Sequence, residues 1–296
     1  MPSQMIQWFP GHMAKTRRLI TENLKNVDAV IELLDARIPL SSRNPEIKKL
    51  CASKPSIILL NKSTLADPKV TKAFSALYTD DHTVCIETDC ISGRGLSEIA
   101  PALRQLCEEK LQRYEQKGML GRSLKIMVVG IPNVGKSSLI NQICGNKKAK
   151  VENRPGVTLD KQWVSTNLGL MLLDMPGVLW PKFEDQTVGE NLAITGAIKD
   201  DILDVEALAM TLCARLRTLY PDLLCQRYKL EALPLPEEMD DYDLMCLIGR
   251  KRGFLISGGE VNTERTANML LDEFRAAKIG RISLDLLPNT KQKDEA

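Results

Sequence analysis

The chain has 296 residues, enough for one large domain or two ordinary ones. Hydrophobic residues make up 44% and charged residues 26%, a globular profile that excludes an intrinsically disordered chain. Net charge is +2 overall, but residues 1–184 carry 26 Lys and Arg against 18 Asp and Glu, whereas residues 185–296 carry 14 against 20. A basic front half suits phosphate groups, from nucleotide, RNA or both, although solvated surfaces often carry such asymmetry. No apolar run approaches the roughly 18 residues of a bilayer span, and the opening MPSQMIQWFPGHMAK has no apolar signal core. A cytoplasmic protein with no membrane partner is expected. Eight scattered cysteines with no close pair at metal-ligand spacing read as buried reduced thiols.

In chain order, residues 27–34, apolar but for Asp28 and Glu32, and residues 56–60 show the pattern of strands covered on both faces, and residues 83–87 are a weaker third. Residues 96–116 show helical spacing through Ile99, Leu103, Leu106 and Leu111. Residues 124–129 predict a strand running into a Gly-rich turn, 136–143 a helix, and 162–166 and 170–173 two short strands. This alternation predicts an α/β domain over residues 1–184, a mostly parallel sheet flanked by helices. Beyond it the pattern is helical, over 205–219, 243–250 and 263–278. The last places Ala267, Leu270, Leu271 and Phe274 on one face behind Asn262 as N-cap. Residues 233–236 read as a linker. A smaller all-α domain is expected over residues 185–296, with a polar tail from 289.

Gly130-Ile131-Pro132-Asn133-Val134-Gly135-Lys136-Ser137 matches G-x-x-x-x-G-K-[ST] in full, between a predicted strand and a predicted helix. The glycines let the backbone wrap a phosphate. Amides from Asn133 and Val134 through Gly135, Lys136, Ser137 and Ser138 then face it at a helix N-terminus. Lys136 is expected to bridge the β- and γ-phosphates, and the Ser137 hydroxyl to ligate Mg²⁺. Asp174-Met175-Pro176-Gly177 closes a hydrophobic strand 38 residues past Lys136 and reads as the D-x-x-G element of GTPases. Asp174 is expected to hold Mg²⁺ through a water, and the Gly177 amide to touch the γ-phosphate. Thr158, in Arg154-Pro155-Gly156-Val157-Thr158, sits where a switch loop brings a hydroxyl to Mg²⁺; an ordinary loop threonine is the alternative.

The base-recognition element N-K-x-D follows a strand in GTPases. Here the strand at 56–60 leads into Asn61-Lys62-Ser63-Thr64. Asn61 is expected on the purine edge and the stem of Lys62 on the base plane. Thr64 replaces the aspartate that accepts from guanine N1–H and the exocyclic amine, which weakens selectivity over adenine. Asp67, three residues on, substitutes only if the loop bends. Asp89-Cys90-Ile91-Ser92-Gly93 resembles the helper loop whose backbone amides, at Cys90 and Ile91, reach the guanine carbonyl. The motifs thus run base loop, helper loop, phosphate loop, switch loop, D-x-x-G, a circular permutation of the usual order. After Gly177 the chain leads straight into the helical part, so γ-phosphate-dependent movement there is expected to tilt that part.

At this point the chain resembles the circularly permuted GTPases of ribosome assembly, most closely the bacterial ribosome biogenesis GTPase A family. The resemblance covers nearly the whole chain through Trp8-Phe9-Pro10-Gly11-His12-Met13, Asp35-Ala36-Arg37-Ile38-Pro39, Arg43-Asn44-Pro45, the motifs above, and Arg252-Gly253 with Ser257-Gly258-Gly259. It implies a GTPase that binds the maturing large ribosomal subunit and its rRNA and promotes late assembly. A monomer is expected, though nothing in the sequence fixes the oligomeric state. Val178 follows D-x-x-G where Ras-like enzymes carry a water-orienting glutamine. The resemblance offers His12 as the catalytic residue, with an RNA contact as its alternative, and Asn133 as the asparagine that helps coordinate K⁺. RNA contacts are expected among Lys15, Arg17, Arg18, Lys147, Lys148, Lys150, Arg250, Lys251, Arg252, Lys278 and Arg281, or these are solvated surface. Two other readings stay open: a nucleotide-dependent RNA-binding module that hardly hydrolyses, and a permuted GTPase acting on another RNA or protein.

Overall fold

The computed structural model describes residues 10–119, 121–145, 162–180, 183, 185–233 and 238–288, leaving aside the side chains of residues 10–12, 162 and 202. Six strands form one sheet: β1 (Ala29–Asp35), β2 (Ser56–Asn61), β3 (Thr83–Glu87), β4 (Leu124–Gly130), β5 (Gln162–Ser165) and β6 (Leu170–Asp174). Their spatial order is β3-β2-β1-β4-β6-β5. All neighbours are parallel except β5, which runs antiparallel to β6. Every residue of β1 is buried, as its mainly apolar sequence predicts; its two carboxylates are paired, Glu32 with Arg43 and Asp35 with Arg37 and Lys62. Strands β1–β3 lie on one side of β4, with β6 and β5 on the other. The block ahead of the phosphate loop could therefore be joined behind β6 without redrawing the sheet. The permutation changes chain order and leaves the architecture intact.

Eleven α-helices are seen among the described residues: α1 (Pro10–Leu24), α2 (Pro45–Cys51), α3 (Pro68–Tyr78), α4 (Leu96–Leu106), α5 (Glu108–Gln116), α6 (Lys136–Cys144), α7 (Gln186–Ile194), α8 (Val205–Leu219), α9 (Pro221–Tyr228), α10 (Asp241–Lys251) and α11 (Thr263–Arg275). The single helix expected over 96–116 is two. The chain turns at buried Cys107, and Glu108 and Glu109 open α5 where carboxylates favour a helix start. Asn262 caps α11 through a bond from the Arg265 amide. The helix ends at Arg275 rather than 278, and Ala277 takes a positive φ of 52°. Residues 234–236 of the expected linker, and the tail from 289, lie outside the described residues.

Alternate residues of the strands feed opposite faces. One apolar cluster takes Ile31, Leu33, Val128 and Leu172 from the sheet and continues into Leu208, Leu212, Leu270 and Phe274 of the helical part. A second holds Val30, Met127, Val129 and Leu173 with Met13 and Ile20 of α1. The change of pattern near residue 185 is a change of secondary structure, and the first cluster crosses it. Beyond α11 a strap returns to the sheet's carboxyl edge. Arg281 donates to the carbonyls of Ala66 (2.9 Å) and Ser63 (2.8 Å), and Leu284 N–H to that of Arg37 (2.8 Å). Buried Asp285 accepts from the amides of Leu40 (2.7 Å) and Ser41 (2.8 Å), the Ser41 hydroxyl and the Asn191 side chain.

Candidate nucleotide site

The loops after β1, β2, β3, β4 and β6 all leave the same carboxyl edge, where parallel α/β sheets hold their ligands. The phosphate loop follows β4. Gly135, at φ 108°, precedes α6, and a Cβ there would collide with the Asn61 amide nitrogen. Lys136 is buried and folds back along the loop, its Nζ donating to the carbonyls of Gly130 (3.1 Å) and Ile131 (2.8 Å). Gly177 sits against it: a Cβ at 177 would lie 2.5 Å from Lys136 Nζ and 3.1 Å from the Ile131 carbonyl oxygen. The sequence separation between the two motifs is thus closed by direct contact.

Asp174 ends β6 beside Val128 of β4. Its side chain is buried, and its Oδ1 has no hydrogen-bond partner among the described residues. Burial raises its pKa, and Lys136 opposes the rise. Burial likewise lowers the Lys136 ammonium to about 8, with Asp174 opposing. An orphaned carboxylate oxygen and an under-solvated ammonium flank the first turn of α6, where Ser137 is half-buried. That donor set fits a hydrated divalent cation beside a phosphate.

At the base end, Asn61 is a tie between three loops. Its Nδ2 donates to the Val134 carbonyl at 2.7 Å, and its Oδ1 accepts from the Cys90 amide at 2.9 Å. The Cys90 amide, expected to reach the guanine carbonyl, is therefore engaged by Asn61. The Ile91 amide donates to Asp89 Oδ1 at 2.8 Å. Lys62, at φ 61°, directs its Nζ to Asp35 Oδ2 at 2.9 Å. Asp35 also takes a forked pair of bonds from buried Arg37 at 2.9 and 2.7 Å. The Thr64 hydroxyl donates to Asp89 Oδ2. Asp67 does not bend toward the base. It caps α3 through the amides of Lys69 (2.8 Å) and Val70 (3.4 Å) and accepts from Tyr220.

Asn133, at φ 56°, donates its amide to the Gly196 carbonyl at 2.9 Å, joining the phosphate loop to the turn after α7. His12 lies in the first turn of α1, with its side chain outside the description. The next residue, Met13, shares a buried cluster with Met175 and Val178, so α1 begins beside the D-x-x-G segment. Val178 is itself buried, and its carbonyl accepts from Asn44 at 3.5 Å. Thr158 with Arg154-Pro155-Gly156-Val157, and Lys147, Lys148 and Lys150, lie outside the described residues. Of the expected RNA contacts, Arg252 is bound to Glu273 and Arg281 to the base loop. Lys15, Arg17, Arg250, Lys251 and Lys278 are exposed, as is Arg18 in its pair with Glu22.

Sequence reasoning missed Asp285, which no motif marks, the bond between Thr64 and Asp89, and the hold of Arg281 on the base loop, where it read Arg281 as an RNA contact. Asp67 was readable: Asp followed by Pro68 is an N-cap and first-turn pair.

The model of the 50S ribosome-binding GTPase family matches residues 125–214. It begins one residue into β4 and takes in the phosphate loop and D-x-x-G, while Asn61–Thr64 lie ahead of it. The ribosome biogenesis GTPase A of Bacillus licheniformis is 47% identical over 281 residues, 95% of this chain and 98% of that protein. That of Priestia megaterium is 47% identical over 281 residues, 95% and 96%. Among solved structures, the GDP-bound YlqF protein of T. maritima aligns with a TM-score of 0.61 at 25% identity, over 90% of this chain and 98% of that one.

Proposed function

The chain belongs to the ribosome biogenesis GTPase A family, and from that premise we propose that it is a GTP-hydrolysing switch that promotes late assembly of the large ribosomal subunit in the cytoplasm. The observation that carries the reading is the contact of Gly177 with Lys136 on the same sheet edge where Asn61 ties the base and phosphate loops. Lys136 neutralises the β- and γ-phosphates, and the loop amides from Asn133 to Ser138 cradle them. Ser137 and Asp174, the latter through a water, would hold Mg²⁺ together with Thr158; the cation would supply charge stabilisation at the phosphoryl oxygens. The orphaned Asp174 Oδ1 supports this assignment.

Buried Val178 has no group to orient water. The start of α1 beside Val178 supports His12 for that task. Asn133, with its amide nitrogen on Gly196, would offer Oδ1 to K⁺, which stabilises transition-state charge as an arginine finger does. The same bond supports transmission from the phosphate loop to the helical part, residues 185–296. On that part Arg250 and Lys251 are exposed, a few residues ahead of exposed Leu255 and Ile256 in the chain, and suit the phosphates of rRNA.

Co-sedimentation with large subunits in a GTP analogue but not in GDP, and GTP turnover that rises with subunits and with K⁺ over Na⁺, are the expected results. Turnover indifferent to both would favour a nucleotide-dependent RNA-binding module, the reading that buried Val178 supports. Co-sedimentation absent in both states would point to another RNA or protein target.

A further inference from the structure

Thr64 occupies the position where the base loop is expected to carry a carboxylate, yet a carboxylate lies one hydrogen bond away. The parallel register of β2 and β3 runs to Leu60 opposite Glu87, and the Ser63 amide extends it by donating to the Thr88 carbonyl at 3.0 Å. That pairing sets Thr64 beside Asp89, and its hydroxyl donates to Asp89 Oδ2. Asp89 Oδ1 is held by the amides of Ile91 (2.8 Å) and Ser92 (3.1 Å). Burial raises the Asp89 carboxyl, but bonds from Thr64, Ser92 and Ile91 more than offset it, so the group is ionised at neutral pH.

Each carboxylate oxygen has two lone pairs, and a threonine hydroxyl has one hydrogen and two. Thr64 spends its hydrogen on Asp89 Oδ2. What it presents to a ligand is then lone pairs, next to the second lone pair of Oδ2. Two adjacent acceptors match N1–H and the exocyclic amine of guanine. Adenine presents an acceptor at N1 and is refused. We propose that Thr64 and Asp89 form a two-part reader of the guanine donor edge, in which Asp89, from the helper loop, supplies the charge that N-K-x-D draws from its fourth residue. Asp67 is committed to capping α3. Ile91 in the same loop is 86% exposed and offers apolar surface to the base plane opposite the Lys62 stem. The assignment rests on the GTPase reading and names the residue that sets its specificity.

Calorimetric titration of the full chain with GDP, XDP and ADP tests it. Asp89→Asn keeps the acceptor for Ile91 and Ser92 and replaces Oδ2 with an amide donor. GDP binding is expected to weaken about ten- to a hundredfold, the range of one or two charge-assisted bonds. XDP, with a carbonyl at C2, should gain on GDP. The exchange variant Thr64→Asp/Asp89→Thr, which puts the carboxylate on the base loop, should bind GDP within a few fold of wild type. An Asn variant whose GDP–XDP–ADP ranking is unchanged overturns the proposal, as does an equal loss for all three, which would make Asp89 a loop-shaping residue. If the Asn variant fails to fold, Asp89→Ser, which keeps an acceptor for the Ile91 and Ser92 amides without the carboxylate, decides: a loss of preference for GDP over ADP supports the pair, and an unchanged ranking refutes it. A wild type that binds ADP as tightly as GDP removes the GTPase reading too. A wild type that prefers GDP beside an Asn variant of unchanged ranking removes only the Asp89 assignment.

Discussion

Truncation of Asn61 to alanine is expected to destabilise the protein before any nucleotide is added. Asn61 is 2% exposed and its two side-chain bonds reach the Val134 carbonyl and the Cys90 amide, both buried. The truncation leaves one buried acceptor and one buried donor without partners, each at about 1–3 kcal/mol. It also opens a gap against Gly135. A loss of about 1–3 kcal/mol follows if a water relieves one of the two groups, and about 2–6 kcal/mol if neither is relieved. Guanidinium unfolding followed by circular dichroism, without nucleotide, measures it. Asn61→Asp is the control, because it keeps the acceptor for Cys90 but turns an acceptor toward the Val134 carbonyl. It should be at least as damaging at neutral pH and milder in acid. An unchanged unfolding midpoint alongside lost GDP affinity would refute the reasoning, because Asn61 would then act on the base alone.

Four further outcomes are expected. GDP binding should take up a proton above about pH 8, because burial lowers free Lys136 to about 8 and a phosphate raises it again; Lys136→Ala abolishes the uptake, read by calorimetry in buffers of different ionisation enthalpy. Asp35 titrates below the usual carboxylate range: burial alone would raise it, but Arg37 and Lys62 outweigh burial. Its depressed folded value stabilises the protein above the ordinary carboxylate pKa and is lost as pH falls through the folded one. The stability gap between wild type and Asp35→Asn should therefore be full at pH 7 and close in strong acid. Asp285→Ala strands the amides of Leu40 and Ser41 and should speed proteolysis within residues 276–288 well above the wild-type rate. His12→Ala should slow subunit-stimulated turnover by about 10²-fold or more while leaving GDP affinity intact; an unchanged rate removes it from the mechanism.

The α/β class, the sheet's strands to within two residues and the permuted motif order were all legible, because each motif sits where a buried strand meets a turn. Gly130–Ser137 and Asp174–Gly177 needed no tertiary knowledge. What hid from the sequence was whatever depends on strands being neighbours. Thr64 reads as a defect alone and as half of a pair only once β2 and β3 are side by side. Asn61 reads only as a base contact because the sequence cannot show that Val134 and Cys90 also hold it. The strap has no period to detect, since its bonds go to backbone carbonyls of Ser63, Ala66 and Arg37 that any residue carries. The helical part looked self-contained because its own faces are amphipathic, and nothing in them says that Leu208 and Phe274 join the same cluster as Ile31.

The strap also imposes an order on biosynthesis. Arg281 meets the carbonyls of Ser63 and Ala66 across separations of 218 and 215 residues. A chain emerging from N to C terminus completes β1, β2 and the loop at Asn61 long before the residue that fastens them exists. Contacts so distant close late. Until then the loop at Asn61 has its strands but not the strap that fastens it. A nascent or prematurely ended chain should therefore release nucleotide quickly, and slow release would mark a chain translated at least through residue 285.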